Sequence, residues 1–80
     1  MQVCVKNIWF DKLRMFVQFK DGKEIGMPLT YFPRLFHATD QQRNEYELWN
    51  DGKWIHWEKL DEDLSAEGFL QYDGQTVANS

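Results

Sequence analysis

Apolar and polar residues alternate loosely from Gln2 to Phe10 and again from Leu13 to Phe19, with Asp11-Lys12 between the two stretches. A period of two marks strands that bury one face. A two-residue turn at Asp11-Lys12 sets Phe10 opposite Leu13, Ile8 opposite Met15 and Cys4 opposite Phe19. One face then collects Cys4, Ile8, Phe10, Leu13, Met15, Val17 and Phe19. The next turn is Lys20-Asp21-Gly22. A three-residue loop with Gly22 in the left-handed region pairs Val17 with Ile25 and Met15 with Met27, whereas a two-residue loop would set Gln18 against Ile25. Pro28 closes the third run, so strands are predicted near residues 2–10, 12–19 and 23–28.

Beyond Pro28 the pattern changes. Tyr31, Phe32, Leu35 and Phe36 fit a short helix near 30–38, with Thr30 as its cap and Pro33 in the first turn, where a missing N–H costs nothing. Thr39 and Gln42 have the spacing of a capping box for one more turn, Asp40 to Asn44. Tyr46 to Trp57, YELWNDGKWIHW, holds three of the four tryptophans. Asp51-Gly52 at its centre is a type I′ hairpin signal, because both central residues need positive φ. That turn pairs Trp49 with Trp54, Leu48 with Ile55, Glu47 with His56 and Tyr46 with Trp57. After Trp57, Leu60, Leu64, Phe69 and Leu70 fit a short terminal helix or pair of turns, and the small polar tail from Asp73 to Ser80 is expected to be disordered.

These elements describe one α+β domain over 1–72, a small antiparallel sheet of two hairpin units in the order β-β-β-α-β-β-α, with a short central helix and a short C-terminal one. Eighty residues are few for a self-sufficient core. The 16% aromatic content compensates, since each ring buries roughly 150–250 Å². The lone Cys4 has no partner for an intramolecular disulfide, which fits a reducing, cytoplasmic setting. No apolar run is long enough for a signal sequence or a membrane span.

The net charge is −4, and Glu58, Asp61, Glu62, Asp63 and Glu67 crowd into ten residues beside a single Lys59. Such a field repels a phosphate backbone and attracts basic proteins, so a protein partner is expected and direct nucleic-acid binding is not. His37 and His56 lack the spacing of metal ligands or a catalytic dyad. The acids Asp61, Glu62 and Asp63 lack the glycine bend of a calcium loop and are read instead as the capping first turn of a helix. Cys4, on an inward face without a neighbouring base, reads as a small apolar residue. No cofactor, metal site or enzymatic function is expected.

The other face of the first sheet is less easily closed. Val3, Val5, Trp9 and Phe16 line up there, and either the second hairpin or another chain must cover them. Together with the acidic end, the aromatic anchors give Trp9, Phe16, Trp54, Trp57, Glu62 and Glu67 as candidate partner-binding residues.

The order VQFKDGKEIGMPL, TYFPRLFHAT, ELWNDGKWIHW and LDEDLSAEGFL resembles the bacterial family known as domain of unknown function 2442, over roughly Val3 to Leu70. The resemblance implies a compact α+β domain. It also implies relatives fused to helix-turn-helix domains, and others encoded beside a second small protein in pairs proposed to be toxin and antitoxin. No helix-turn-helix pattern occurs in these residues, and the family offers no catalytic residues to transfer. The leading expectation is a non-enzymatic interaction module, the antitoxin-like member of a two-gene pair, binding a basic and toxin-like protein. A small homodimeric regulator is the alternative, and an enzyme or small-ligand binder the third reading.

Overall fold

The computed structural model describes residues 3–70. Strands β1 (Val5–Phe10), β2 (Arg14–Phe19) and β3 (Glu24–Pro28) form one antiparallel sheet in that order. A second sheet, also antiparallel, joins β4 (Glu47–Trp49), β5 (Trp54–Trp57) and β6 (Glu62–Ser65). Between the sheets lie a 3-10 turn (Leu29–Tyr31) and the short helices α1 (Pro33–Phe36) and α2 (Asp40–Asn44). A helical segment follows β6 over 66–70. The α+β class and the element order agree with the sequence reading, with one strand added. The tail expected from Asp73 lies outside the described residues.

The first turn lies two residues from its expected register. Phe10 faces Met15 and Ile8 faces Val17, so the bend falls at Lys12-Leu13. The Asp11 carboxylate fixes it by accepting hydrogen bonds from the Leu13 and Arg14 N–H groups, both at 2.8 Å. Those same donors hold the Asp11 pKa below its ordinary value. A slip of two leaves every side chain on its face, so alternation cannot distinguish the registers. Leu13, expected in the core, is 71% exposed at the bend. The Lys20-Asp21-Gly22 loop does take its expected form: Val17 faces Ile25, Met15 faces Met27, and Gly22 has φ +98°.

A bulge between Val5 and Asn7 changes what the outer face presents. The extra residue turns Val5 inward, and Val5 is fully buried. Val3 packs against the core as well. The outer face keeps Trp9 and Phe16, whose rings stack at 5.7 Å and 12°. They continue across β3, where Gly26 pairs with Phe16 and a Cβ on Gly26 would stand 2.9 Å from the Phe16 ring.

Thr30 does not cap a helix. It lies within the 3-10 turn, and Phe32, at φ −128° and ψ 83°, is the residue from which α1 starts. Pro33 is the cause, since a proline disfavours helical geometry in the residue before it. The Thr39–Gln42 capping box forms in full, with Thr39 Oγ1 accepting from the Gln42 N–H and Gln42 Oε1 accepting from the Thr39 N–H. From α2 the buried Arg43 reaches back to α1, donating to the carbonyls of Leu35 at 2.7 Å and Phe36 at 2.8 Å and pairing with Asp40 at 3.0 Å. It thereby satisfies the Phe36 carbonyl at the open end of the helix and adds a donor to that of Leu35, which also accepts from the Ala38 N–H.

The second hairpin has the expected register, with Trp49 opposite Trp54, Leu48 opposite Ile55 and Glu47 opposite His56. Asn50, Asp51 and Gly52 all have positive φ, at 53°, 60° and 92°, so the left-handed stretch is one residue longer than the two of a type I′ turn, and Lys53 N–H donates to the Asn50 carbonyl. The turn packs directly on β1, where a Cβ at Gly52 would lie 2.3 Å from the Val5 carbonyl oxygen. Residues 62–65 form a strand, not the helix expected there. Asp61, at φ 52°, turns the chain so that Glu62 faces Trp57, Asp63 faces His56, Leu64 faces Ile55 and Ser65 faces Trp54. The Ser65 hydroxyl then accepts from the Gly68 N–H at the start of the following helical segment.

The inner faces of both sheets meet in one cluster that includes Val5, Ile8, Met15, Val17, Ile25, Met27, Ile55 and Trp57, closed by Leu29, Phe32, Leu35, Ala66 and Phe69. Burial of each large apolar side chain contributes about 1.5–3 kcal/mol.

Candidate functional site

Alternation in the second sheet sends Ile55, Trp57 and Leu64 to the core and sends Glu47, Trp49, Trp54, His56 and Asp63 outward. Trp49 and Trp54 are direct cross-strand partners, 46% and 43% exposed. Beside them His56 is buried among its neighbours. The Trp49 indole stacks on the imidazole with centroids 4.0 Å apart and planes 24° apart, and Trp49 Nε1 donates to Glu47 Oε1 at 3.3 Å. The face is a floor of aromatic rings bordered by carboxylates.

His56 lies between two of those carboxylates. Its Nδ1 contacts Asp63 Oδ1, and its Nε2 lies 3.2 Å from Glu58 Oε2. Only the imidazolium has N–H groups to donate on both sides. The hydrogen bond to Asp63 is the main cause of a pKa raised above the ordinary 6.5; Glu58 adds to it and burial opposes it. A charged ring under Trp49 also gains a cation–π contact. The two carboxylates lie against opposite ring nitrogens, so the three groups do not converge on one point. Among the described residues no group of three or more histidine, cysteine or acidic side chains is placed to hold a metal ion.

The six residues proposed from sequence are not brought together. Trp54 is on this face. Trp9 and Phe16 are on the outer face of the other sheet. Trp57 is fully buried and its Nε1 donates to the Arg43 carbonyl at 2.9 Å, so it is a core residue and no partner anchor. Glu62 sits opposite Trp57 in β6, and Glu67 belongs to the helical segment that follows. The acidic stretch is likewise divided: Asp61 is drawn to Arg34 at 4.0 Å, while Glu58 and Asp63 bracket His56. Trp49 and His56 are not among the six sequence candidates, and Glu58 and Asp63 enter the sequence reading only as part of the acidic stretch that attracts a basic partner. The register already placed Trp49 beside Trp54 and Glu47 beside His56; Asp63 was hidden because β6 read as helix.

Two three-stranded antiparallel sheets joined by short helices, with an aromatic and acidic outer face, define a small α+β domain. The chain belongs to the family described as protein of unknown function (DUF2442), whose model matches residues 5–75. It is similar to a protein of unknown function from Rhodospirillum rubrum ATCC 11170, known from a crystal structure, with a TM-score of 0.75 and 27% identity over 89% of this chain and 88% of that one. No match was found among curated proteins. No helix among the described residues is long and apolar enough to cross a membrane.

Proposed function

We propose that this domain is a non-enzymatic protein-interaction module that binds a basic protein through the outer face of its second sheet. The observation that carries this reading is the adjacent, half-exposed pair Trp49 and Trp54 on a face bordered by Glu47, Glu58 and Asp63. Tryptophan concentrates binding energy at interfaces, and complementary charge raises the rate of encounter. Both nitrogens of His56 are engaged by carboxylates, which favours a structural role for the ring over proton transfer to a substrate. The family resemblance supports the antitoxin-like member of a two-gene pair, a small acidic domain of the reducing cytoplasm that masks a basic partner encoded beside it.

The rival reading is a homodimer formed through Trp9 and Phe16. Phe16 is packed between Trp9 and Gly26, and Trp9 is less exposed, at 36%, than Trp49 and Trp54, at 46% and 43%, so the second sheet is preferred. Copurification of the untagged protein from its native cell, followed by mass spectrometry, tests the proposal. A basic protein should be retained by the unaltered chain and lost on Trp49→Ala or Trp54→Ala. Retention that ignores both substitutions contradicts the proposed face, and tight salt-sensitive DNA binding in a mobility-shift assay contradicts the proposed partner.

A further inference from the structure

We propose that His56 is an internal, proton-dependent counter-cation of the binding face, and that a cationic side chain from the partner competes with it for Glu58 and Asp63. The inference rests on the reading of this face as a docking surface for a basic protein.

The geometry is that of an occupied site. His56 is held from the β6 side by Asp63 through Nδ1 and from the end of β5 by Glu58 through Nε2, with Glu47 as its cross-strand partner on β4. These are the charged groups that face the ring from each strand packed against it. Glu47 is engaged with the Trp49 indole. His56 pairs with both Glu58 and Asp63, while Lys20, Arg34, Arg43 and Lys59 pair with Asp51, Asp61, Asp40 and Glu45. The Glu58 side chain is 84% exposed, so an incoming guanidinium or ammonium reaches it without opening the fold. The same cation would lie beside the Trp49 indole, which stacks on His56 and whose face attracts a cation.

Protonation sets the charge of this face. While the ring is charged, it offsets one of the three carboxylates Glu47, Glu58 and Asp63. Once it is neutral, only one ring nitrogen carries a hydrogen, so at least one carboxylate loses its internal partner. An external cation should then bind more tightly. The pKa of His56 is raised from 6.5 by its carboxylates, so the change occurs above that pH. Folding responds with the opposite sign. A raised folded-state pKa contributes stability that is present below 6.5 and is lost as pH rises through the folded value. The affinity for cations therefore rises as pH increases while the stability contributed by the same imidazole falls.

The test uses an arginine hexapeptide as the probe. Binding is followed by tryptophan fluorescence from pH 6 to pH 9 at constant ionic strength, and the His56 and His37 rings are titrated separately by NMR. The expected affinity gain is roughly two- to fivefold, what one exposed ion pair contributes, with a midpoint matching that of the His56 ring. Glu58→Gln should flatten the gain while leaving the fold intact, because its side chain stands in solvent. His56→Gln should bind with no step in pH. If that variant fails to fold, Glu58→Gln still decides the matter. A peptide that binds, depends on Trp49 and Trp54, and shows no pH step overturns the His56 mechanism while the face survives. Failure of the peptide to bind, or binding that ignores both tryptophans, overturns the mechanism together with the face it rests on.

Discussion

Gly22 and Gly52 both occupy positive φ, at 98° and 92°, but only Gly52 is also pressed against another strand. A Cβ at Gly22 meets nothing within 4 Å, whereas one at Gly52 stands 2.3 Å from the Val5 carbonyl oxygen and 3.0 Å from the Val5 nitrogen. Gly22→Ala should therefore cost backbone strain alone, about 1 kcal/mol. Gly52→Ala adds a clash between backbones and should cost about 2 kcal/mol or more, measured by urea denaturation. Equal losses would contradict the docking of the second turn on β1. The positive φ at Gly52 was legible from Asp51-Gly52; the contact with Val5 joins residues 47 positions apart in the chain, and no local pattern records it. His56 makes the second residue-scale prediction. Its pairing with Asp63 and Glu58 raises its pKa, so denaturation midpoints should fall as pH rises above about 6.5. In His56→Gln that slope should flatten.

Among the elements, the capping box on α2 and the start of α1 make a paired test. Thr39→Ala removes a side chain that accepts the Gln42 N–H and should cost about 1 kcal/mol. Thr30→Ala removes no cap and should be nearly neutral; a comparable loss at Thr30 would restore the single helix that the sequence suggested. The capping box was readable because its signal is local, two residues at fixed spacing. The first turn was not, since two registers differing by two residues bury the same face, and only the bonds made by Asp11 decide between them. β6 was hidden for another reason. Leu60 and Leu64 are spaced as on a helix and the segment is rich in Asp and Glu, which strands disfavour. Pairing with β5 overrides that local preference, and with β6 goes the position of Asp63 beside His56.

At the scale of the whole molecule, the two sheets share one core and present two outer faces of different character. That of the first sheet carries the Trp9–Phe16 stack, with Phe16 over Gly26 and Trp9 partly exposed. That of the second carries Trp49 and Trp54 among carboxylates. Substituting Trp49 or Trp54 with alanine should change unfolding free energy little compared with its effect on the complex, where loss of an anchoring tryptophan costs about 2 kcal/mol or more. Isothermal titration calorimetry on the purified partner checks the second value and urea denaturation the first. Trp57→Ala should do the reverse and unfold the domain, because it empties a fully buried site and leaves the Arg43 carbonyl without its donor.

The four tryptophans make the central claim directly observable, because each contributes one indole N–H resonance and they occupy three different environments. Trp49 and Trp54 lie on the proposed face, Trp9 on the opposite sheet, and Trp57 in the core. Nitrogen-15 NMR spectra recorded while the basic partner, or the arginine hexapeptide in its place, is added should show the Trp49 and Trp54 indole signals moving together with saturable, salt-sensitive behaviour, while those of Trp9 and Trp57 stay in place. Movement of the Trp9 signal with Trp49 and Trp54 unchanged would contradict the account and assign binding to the first sheet.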